Sequence, residues 1–150
     1  MDQADIERIV AGSLTQLYAE ELEILRADIG ERTICGSLAA ILRPHFPEHR
    51  VHIEYNRHGV VPKDIELPDG QGNPQTRRVY PDIIVHQPGH DRENILVIEI
   101  KKSTNAVDDY ADLTKLHQIK LQMRYRFALF LRLPAGPAAA LEDVHDRWVE

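Results

Sequence analysis

Apolar residues recur along this chain in two rhythms, and the change of rhythm divides it into elements. Over residues 3–27, Ile6, Ile9, Val10, Leu14, Leu17, Leu22 and Leu25 fall mostly three and four apart, the spacing that lines one face of a helix. Asp2 or Asp5 stands where a cap is needed, and Glu7, Glu20, Glu21 and Glu23 make the outer face acidic. Gly30 interrupts the pattern. A second helix is expected from Glu31 to about Leu42, with Ile34, Cys35, Leu38, Ile41 and Leu42 as its buried stripe. Pro44 and Pro47 end it. The period then shortens to two: in VHIEYN (51–56), Val51, Ile53 and Tyr55 alternate with His52, Glu54 and Asn56, a half-buried strand. Glu54 reads as a solvent-side or salt-bridged residue. Residues 57–77, which include PDGQGNP, read as a flexible excursion between strands.

Two apolar runs follow. RVYPDIIVH (78–86) holds Ile83, Ile84 and Val85, with Pro81 near its start, where proline is tolerated. In ILVIEIKK (95–102), five of the first six positions are Ile, Leu or Val, the signature of a strand buried on both faces. The polar, turn-rich QPGHDREN between them makes the two runs a hairpin with a long loop. Asp108 and Asp109 then cap a helix to about Arg124, with Leu113, Leu116, Ile119, Lys120 and Met123 roughly on one side. FALFLRL (127–133) is a last strand, stopped by Pro134 to Pro137. A short helix with Leu141, Val144 and Trp148 is expected to close the chain.

Composition adjusts this picture only slightly. One hundred and fifty residues, 28% of them charged, fit a single globular domain spanning 1–150. No apolar run nears 18 residues and no signal-peptide pattern opens the chain, so a cytoplasmic protein away from membranes is the default. The one cysteine, Cys35, lies among apolar neighbours and reads as a buried structural thiol. A net charge of −6 opposes strong non-specific binding to nucleic acid. The basic residues are nevertheless gathered, with Arg77, Arg78, Lys101, Lys102, Lys115, Lys120, Arg124 and Arg126 in or beside the charged strand. A basic groove on an acidic body and an ordinary solvated surface both fit. The eight histidines lack ligand spacing; His45 and His49 are four apart, but Pro47 between them rules out a helical zinc pair.

The chemistry lies at the end of the buried strand. Glu99 and Lys101 point to the same face, roughly 6.5 Å apart along the backbone, and charges there are costly unless paired, solvated or metal-bound. Pairing the two strands about the middle of their loop sets Asp82 opposite Glu99 and His86 opposite Ile95. The carboxylates would then lie about 5 Å apart, where like charges destabilise a sheet. Something positive is required between them. Lys101 is one candidate, and a divalent cation suited to hard oxygen ligands is the other.

Pro81-Asp82, sixteen further residues, then Glu99-Ile100-Lys101 resembles the PD-(D/E)XK signature of the restriction-endonuclease-like nuclease superfamily. IEYNR (53–57), PDIIVH (81–86) and NILVIEIKKS (94–103), in that order, extend the resemblance from about residue 28 to about 133, to a group of small bacterial members. Two decoys, Pro68-Asp69 and Glu93, match single letters outside any apolar strand. The resemblance implies an α/β fold of the three-layer α+β type. Its core runs helix-strand-strand-strand-helix-strand around a mixed sheet, with an additional N-terminal helix and a short C-terminal one. It implies a Mg²⁺- or Mn²⁺-dependent nuclease, with DNA favoured over RNA. Asp82, Glu99 and the Ile100 carbonyl would hold the metal, which would polarise the phosphate and acidify bound water. Lys101 would orient that water or offset phosphate charge. Glu31 matches the helical glutamate that helps hold the metal or its water, although an acid in a first turn also simply suits the helix dipole. Arg77, Arg78, Lys102 and Lys115 are the candidate nucleic-acid contacts, with Lys115 beside Gln118 on the helix. Two alternatives stay open: a non-cleaving nucleic-acid-binding or regulatory module on the same fold, and a subunit of a larger defence or repair assembly. Either a homodimer or a partner protein is compatible with the chain.

Overall fold

The computed structural model describes residues 1–54 and 64–150, together with the backbone of residues 57–58 and 61–62. Helices α1 (Gln3–Glu20), α2 (Leu22–Arg26) and α3 (Glu31–Leu42) come first. Strand β1 (Arg50–Ile53) precedes the two-residue strands β2 (Arg57–His58) and β3 (Val61–Pro62). The strands β4 (Asp64–Pro68), β5 (Pro74–Arg78), β6 (Ile83–His86) and β7 (Leu96–Lys102) lead to helix α4 (Tyr110–Gln122). Strands β8 (Phe127–Leu133) and β9 (His145–Val149) complete the chain. The main sheet is mixed, in the order β1-β6-β7-β8-β9. Only β7 and β8 run parallel, and α4 supplies the long crossover that such a pair requires.

Alternation along β7 builds two cores. Leu96, Ile98 and Ile100 pack with Ile34, Leu38 and Leu42 of α3 and with Leu14 and Leu17 of α1. Val97, on the other face, joins Ile84, Phe130, and Leu116, Ile119 and Met123 of α4. The sheet is thus covered on both sides, and truncating one of these aliphatic side chains to alanine costs about 2–5 kcal/mol. Among the described residues no helix is long and apolar enough to cross a membrane.

Several expectations hold in detail. The second helix spans Glu31–Leu42, bounded by Gly30 and by a 3₁₀ turn that contains Pro44. Asp2 caps α1 in a reciprocal box with Asp5. Cys35 is buried, and Glu54 forms an ion pair with Arg32 at 2.7 Å. The expected strand from 51 to 56 ends at Ile53; Tyr55 and Asn56 lie outside the described residues.

Others are corrected. The expected single helix over 3–27 breaks at Glu21, whose backbone leaves helical geometry. The break sets Leu25 fully inside, where its carbonyl accepts from Gly136 N–H at 2.9 Å. The excursion is in part a hairpin, β4 against β5. It lies over α4, with Ile65 inside that core. The Gln122 side chain donates to Glu66 O (3.0 Å) and accepts from Glu66 N–H (2.9 Å). The expected terminal helix is strand β9, antiparallel to β8. Val144 and Trp148 are four apart, which suits a period of two as well as 3.6, and the open edge of β8 decides for the strand. Asp108, not Asp109, accepts from the first N–H of α4, that of Tyr110 (2.9 Å); Asp109 turns to Arg132.

Candidate active site at the end of the central strand

The ladder between β6 and β7 ends at Ile83 opposite Ile98, so one step further Asp82 stands opposite Glu99, the expected register. Beyond it β7 continues without β6, and its N–H groups on that side need other acceptors. Two carboxylates meet the need. Asp82 Oδ2 accepts from Ile100 N–H at 2.7 Å, and Glu31 Oε1 accepts from Lys102 N–H at 3.3 Å. The first turn of α3 therefore reaches the strand end. Backbone N–H and C=O of one extended residue leave on the same side, so the Ile100 carbonyl also faces Asp82.

Glu99 and Lys101 point to the other layer, toward α4, and are only 5% and 6% exposed. Glu99 Oε2 lies 3.2 Å from Lys115 Nζ. Glu99 Oε1 is buried and accepts from no N–H or O–H donor; its neighbour is the Asp82 carboxyl, with which it forms a hydrogen bond when Glu99 holds a proton. Burial, and then the charge of Asp82, push the Glu99 carboxyl up to about 8 against the pull of Lys115. Asp82 is also raised by burial, with the Ile100 N–H and then Lys115 opposing. Cys35 is raised by burial and by Asp82, Glu31 and Glu99 in turn. It is thus an inert thiol, and four carboxylates, Glu54 being the fourth, act on it at once.

The ammonium of Lys101 is committed elsewhere. It lies 2.5 Å from Asp112 Oδ2 and donates to the carbonyls of Asp108 (2.9 Å) and Val107 (3.3 Å). Arg132 braces the same loop through Asp109 and the carbonyls of Lys102, Asn105 and Val107. The positive charge beside the carboxylates is Lys115, which the sequence reading had given only a phosphate contact. A signal for it existed. Asp112 and Lys115 are three apart and share one side of α4, so the pair Asp-x-x-Lys on the helix complements Glu-x-Lys on the strand.

Of the remaining basic candidates, Lys102 pairs with Asp28 (2.9 Å) and Arg78 with Asp64 (3.4 Å). Arg77 lines a cleft with Lys115. Lys120 donates to Val149 O and Arg126 to Met1 O. The structure brings together Asp82, Glu99, Ile100, Glu31 and Lys115, and sets Arg78 and Lys102 among acids of their own.

Among the described residues no group of three or more His, Cys, Asp or Glu side chains is arranged to hold a metal ion. What the site could offer a cation is two carboxylates, Asp82 and Glu99, and the Ile100 carbonyl. Mg²⁺ suits such a set, because it takes one or two carboxylates and completes its shell with water and phosphate. A hard cation would replace the proton between Glu99 Oε1 and the Asp82 carboxyl. In comparisons with known proteins, the chain matches no family model, no curated protein and no solved structure.

Proposed function

We propose that this protein is a metal-dependent phosphodiesterase acting on nucleic acid, DNA before RNA, on a restriction-endonuclease-like core. The order α3, β1, β6, β7, α4, β8, with β7 parallel to β8, supports that core once the intervening short strands are set aside. The observation that carries the function is the buried carboxyl pair Asp82–Glu99, whose Glu99 Oε1 accepts from no N–H or O–H donor, at the open end of a central strand. Asp82, Glu99 and the Ile100 carbonyl would hold Mg²⁺ or Mn²⁺. Bound, the cation supplies Lewis acidity, polarising a phosphoryl oxygen and acidifying water.

The chain's own residues do the positioning. Glu31 and Asp82 fix the strand end through the N–H groups of Lys102 and Ile100. Lys115 supplies the charge that offsets crowded phosphate oxygens, the role the motif assigns to Lys101. Lys101, held by Asp112 and two carbonyls, sets the distance between β7 and the start of α4. One observation favours the non-cleaving module instead: Lys115 already contacts Glu99 and Lys101 pairs with Asp112, so both lysines have acidic partners without metal.

Thermal melts separate the two. A ligand that binds only the folded state stabilises by mass action, so millimolar Mn²⁺ should raise the melting temperature of the wild type and leave Asp82→Asn unmoved. In chelator, Asp82→Asn should melt at or above the wild type, since it removes a buried like charge and keeps an acceptor for Ile100. A wild type indifferent to Mn²⁺, with Asp82→Asn clearly less stable in chelator, favours the structural cluster.

A further inference from the structure

Helix α4 presents a ridge of Tyr110, Thr114 and Gln118, spaced four apart, with a cleft along each flank. One cleft, of about 450 Å³, lies between α4 and the β4–β5 hairpin and is lined by Leu67, Arg77, Tyr110 and Lys115 among others. The second, of about 370 Å³, lies between α4 and β9 and includes His117, Arg147 and Trp148. Tyr110 walls both clefts and is 78% exposed. Arg77 sits opposite Ile65 in the hairpin, hence on the face turned to α4. Lys115 belongs to the first cleft and also touches the buried Glu99, so one side chain joins the cleft to the carboxylates. Asp69 lines it too, but its Oδ1 accepts from the N–H groups of Gln71 and Asn73 (2.7 and 2.9 Å).

We propose that this ridge and its clefts bind an unpaired nucleic-acid strand. A base stacks on Tyr110, and Arg77 and Lys115 take the adjoining phosphates. The inference rests on the hydrolytic reading for the strand's course toward Asp82 and Glu99. Chemistry selects a single strand over a duplex. Base faces in a duplex are covered by their neighbours, so a projecting ring finds a stacking partner only on an unpaired base. A duplex presents one charge per roughly 1.7 Å and binds by neutralising many phosphates. Here the net charge is −6, Lys101, Lys102 and Arg78 are already matched with acids, and Lys115 shares its ammonium with the buried Glu99. The two cations of the first cleft and the Tyr110 ring suit a few nucleotides of single strand.

The test is fluorescence anisotropy in chelator, where nothing is cut, with a labelled oligo-dT and a mixed-sequence duplex of equal length. Wild type should bind the single strand at least ~10-fold more tightly. Tyr110→Ala should weaken it by about five- to a hundredfold, the range for loss of one base–aromatic stack, whereas Tyr110→Phe keeps binding within about threefold of wild type. Arg77→Gln should lower the salt slope by about 0.7, one single-strand phosphate. Tyr110 is exposed, so both variants should retain the wild-type circular dichroism. Equal or tighter duplex binding, an unaltered Tyr110→Ala, or no wild-type binding overturns the proposal. Single-strand binding that depends on Tyr110, without cleavage when metal is added, upholds it while the hydrolytic reading fails. Duplex cleavage indifferent to Tyr110→Ala upholds the hydrolytic reading and overturns this one.

Discussion

Glu99→Gln should make the metal-free protein more stable, and increasingly so as the pH rises. The folded carboxyl is held from its ordinary 4.5 up to about 8, first by burial and then by Asp82. Between those values the folded chain keeps a proton that the unfolded chain releases, so wild-type stability falls as the pH rises through the interval. At about 1.4 kcal/mol per pH unit, the ceiling of that loss is about 5 kcal/mol. Relaxation of the site reduces the working expectation to about 2–3 kcal/mol. The amide keeps the shape, can still accept from Lys115, and has no charge to bury. For a domain of this size each kcal/mol moves the melting temperature by about 2–4 °C. Near pH 5 the two proteins should melt together; by pH 8.5 the variant should lead by about 4–12 °C. Melts followed by circular dichroism in chelator, stepped from pH 5 to 8.5, measure this. A gap independent of pH, or a wild type more stable at pH 8.5, would mean that the Glu99–Lys115 pair outweighs the cost of burial, and the reasoning fails.

The two lysines should separate by assay. Lys101→Met leaves Asp112 and two loop carbonyls without their donor and should cost about 2–3 kcal/mol in denaturant melts, whereas Lys115→Met should cost under ~1 kcal/mol, because Glu99 then keeps its proton, yet lower phosphodiester cleavage at least ~100-fold; the reverse ranking on both counts returns the motif role to Lys101. Arg124 follows α4 in the left-handed region at φ 58°, with Tyr125 N–H closing on Lys120 O at 3.1 Å, so Arg124→Gly should raise stability by about 0.5–1 kcal/mol, and a loss in the same melts would show that the arginine side chain matters more than the backbone.

What the sequence made legible followed from strong local constraints. Gly30 and Pro44 bracket α3, and pairing the apolar runs of β6 and β7 about the middle of their loop sets Asp82 against Glu99. Less legible was everything decided across layers. Alternation correctly put Glu99 and Lys101 on one face, but which ammonium meets which carboxylate depends on the helix above them, where Asp112 takes Lys101 and Lys115 takes Glu99. The hairpin over α4 was hidden by its turn-rich composition, because its cohesion comes from Ile65 and from Gln122, far along the chain. At the C-terminus the spacing of Val144 and Trp148 served two periods equally, and only the unpaired edge of β8 distinguishes them.

The central claim meets its most direct test in cleavage. Purified protein is incubated with plasmid, single-stranded DNA and RNA, with Mg²⁺, with Mn²⁺ and with chelator, beside Asp82→Ala and Glu99→Ala. Phosphodiester bonds should break with either metal and stay intact in chelator, and both variants should cut at least ~100-fold more slowly. Cleavage that persists in chelator or proceeds at the wild-type rate in either variant, or its absence from every substrate with both metals, would contradict the claim.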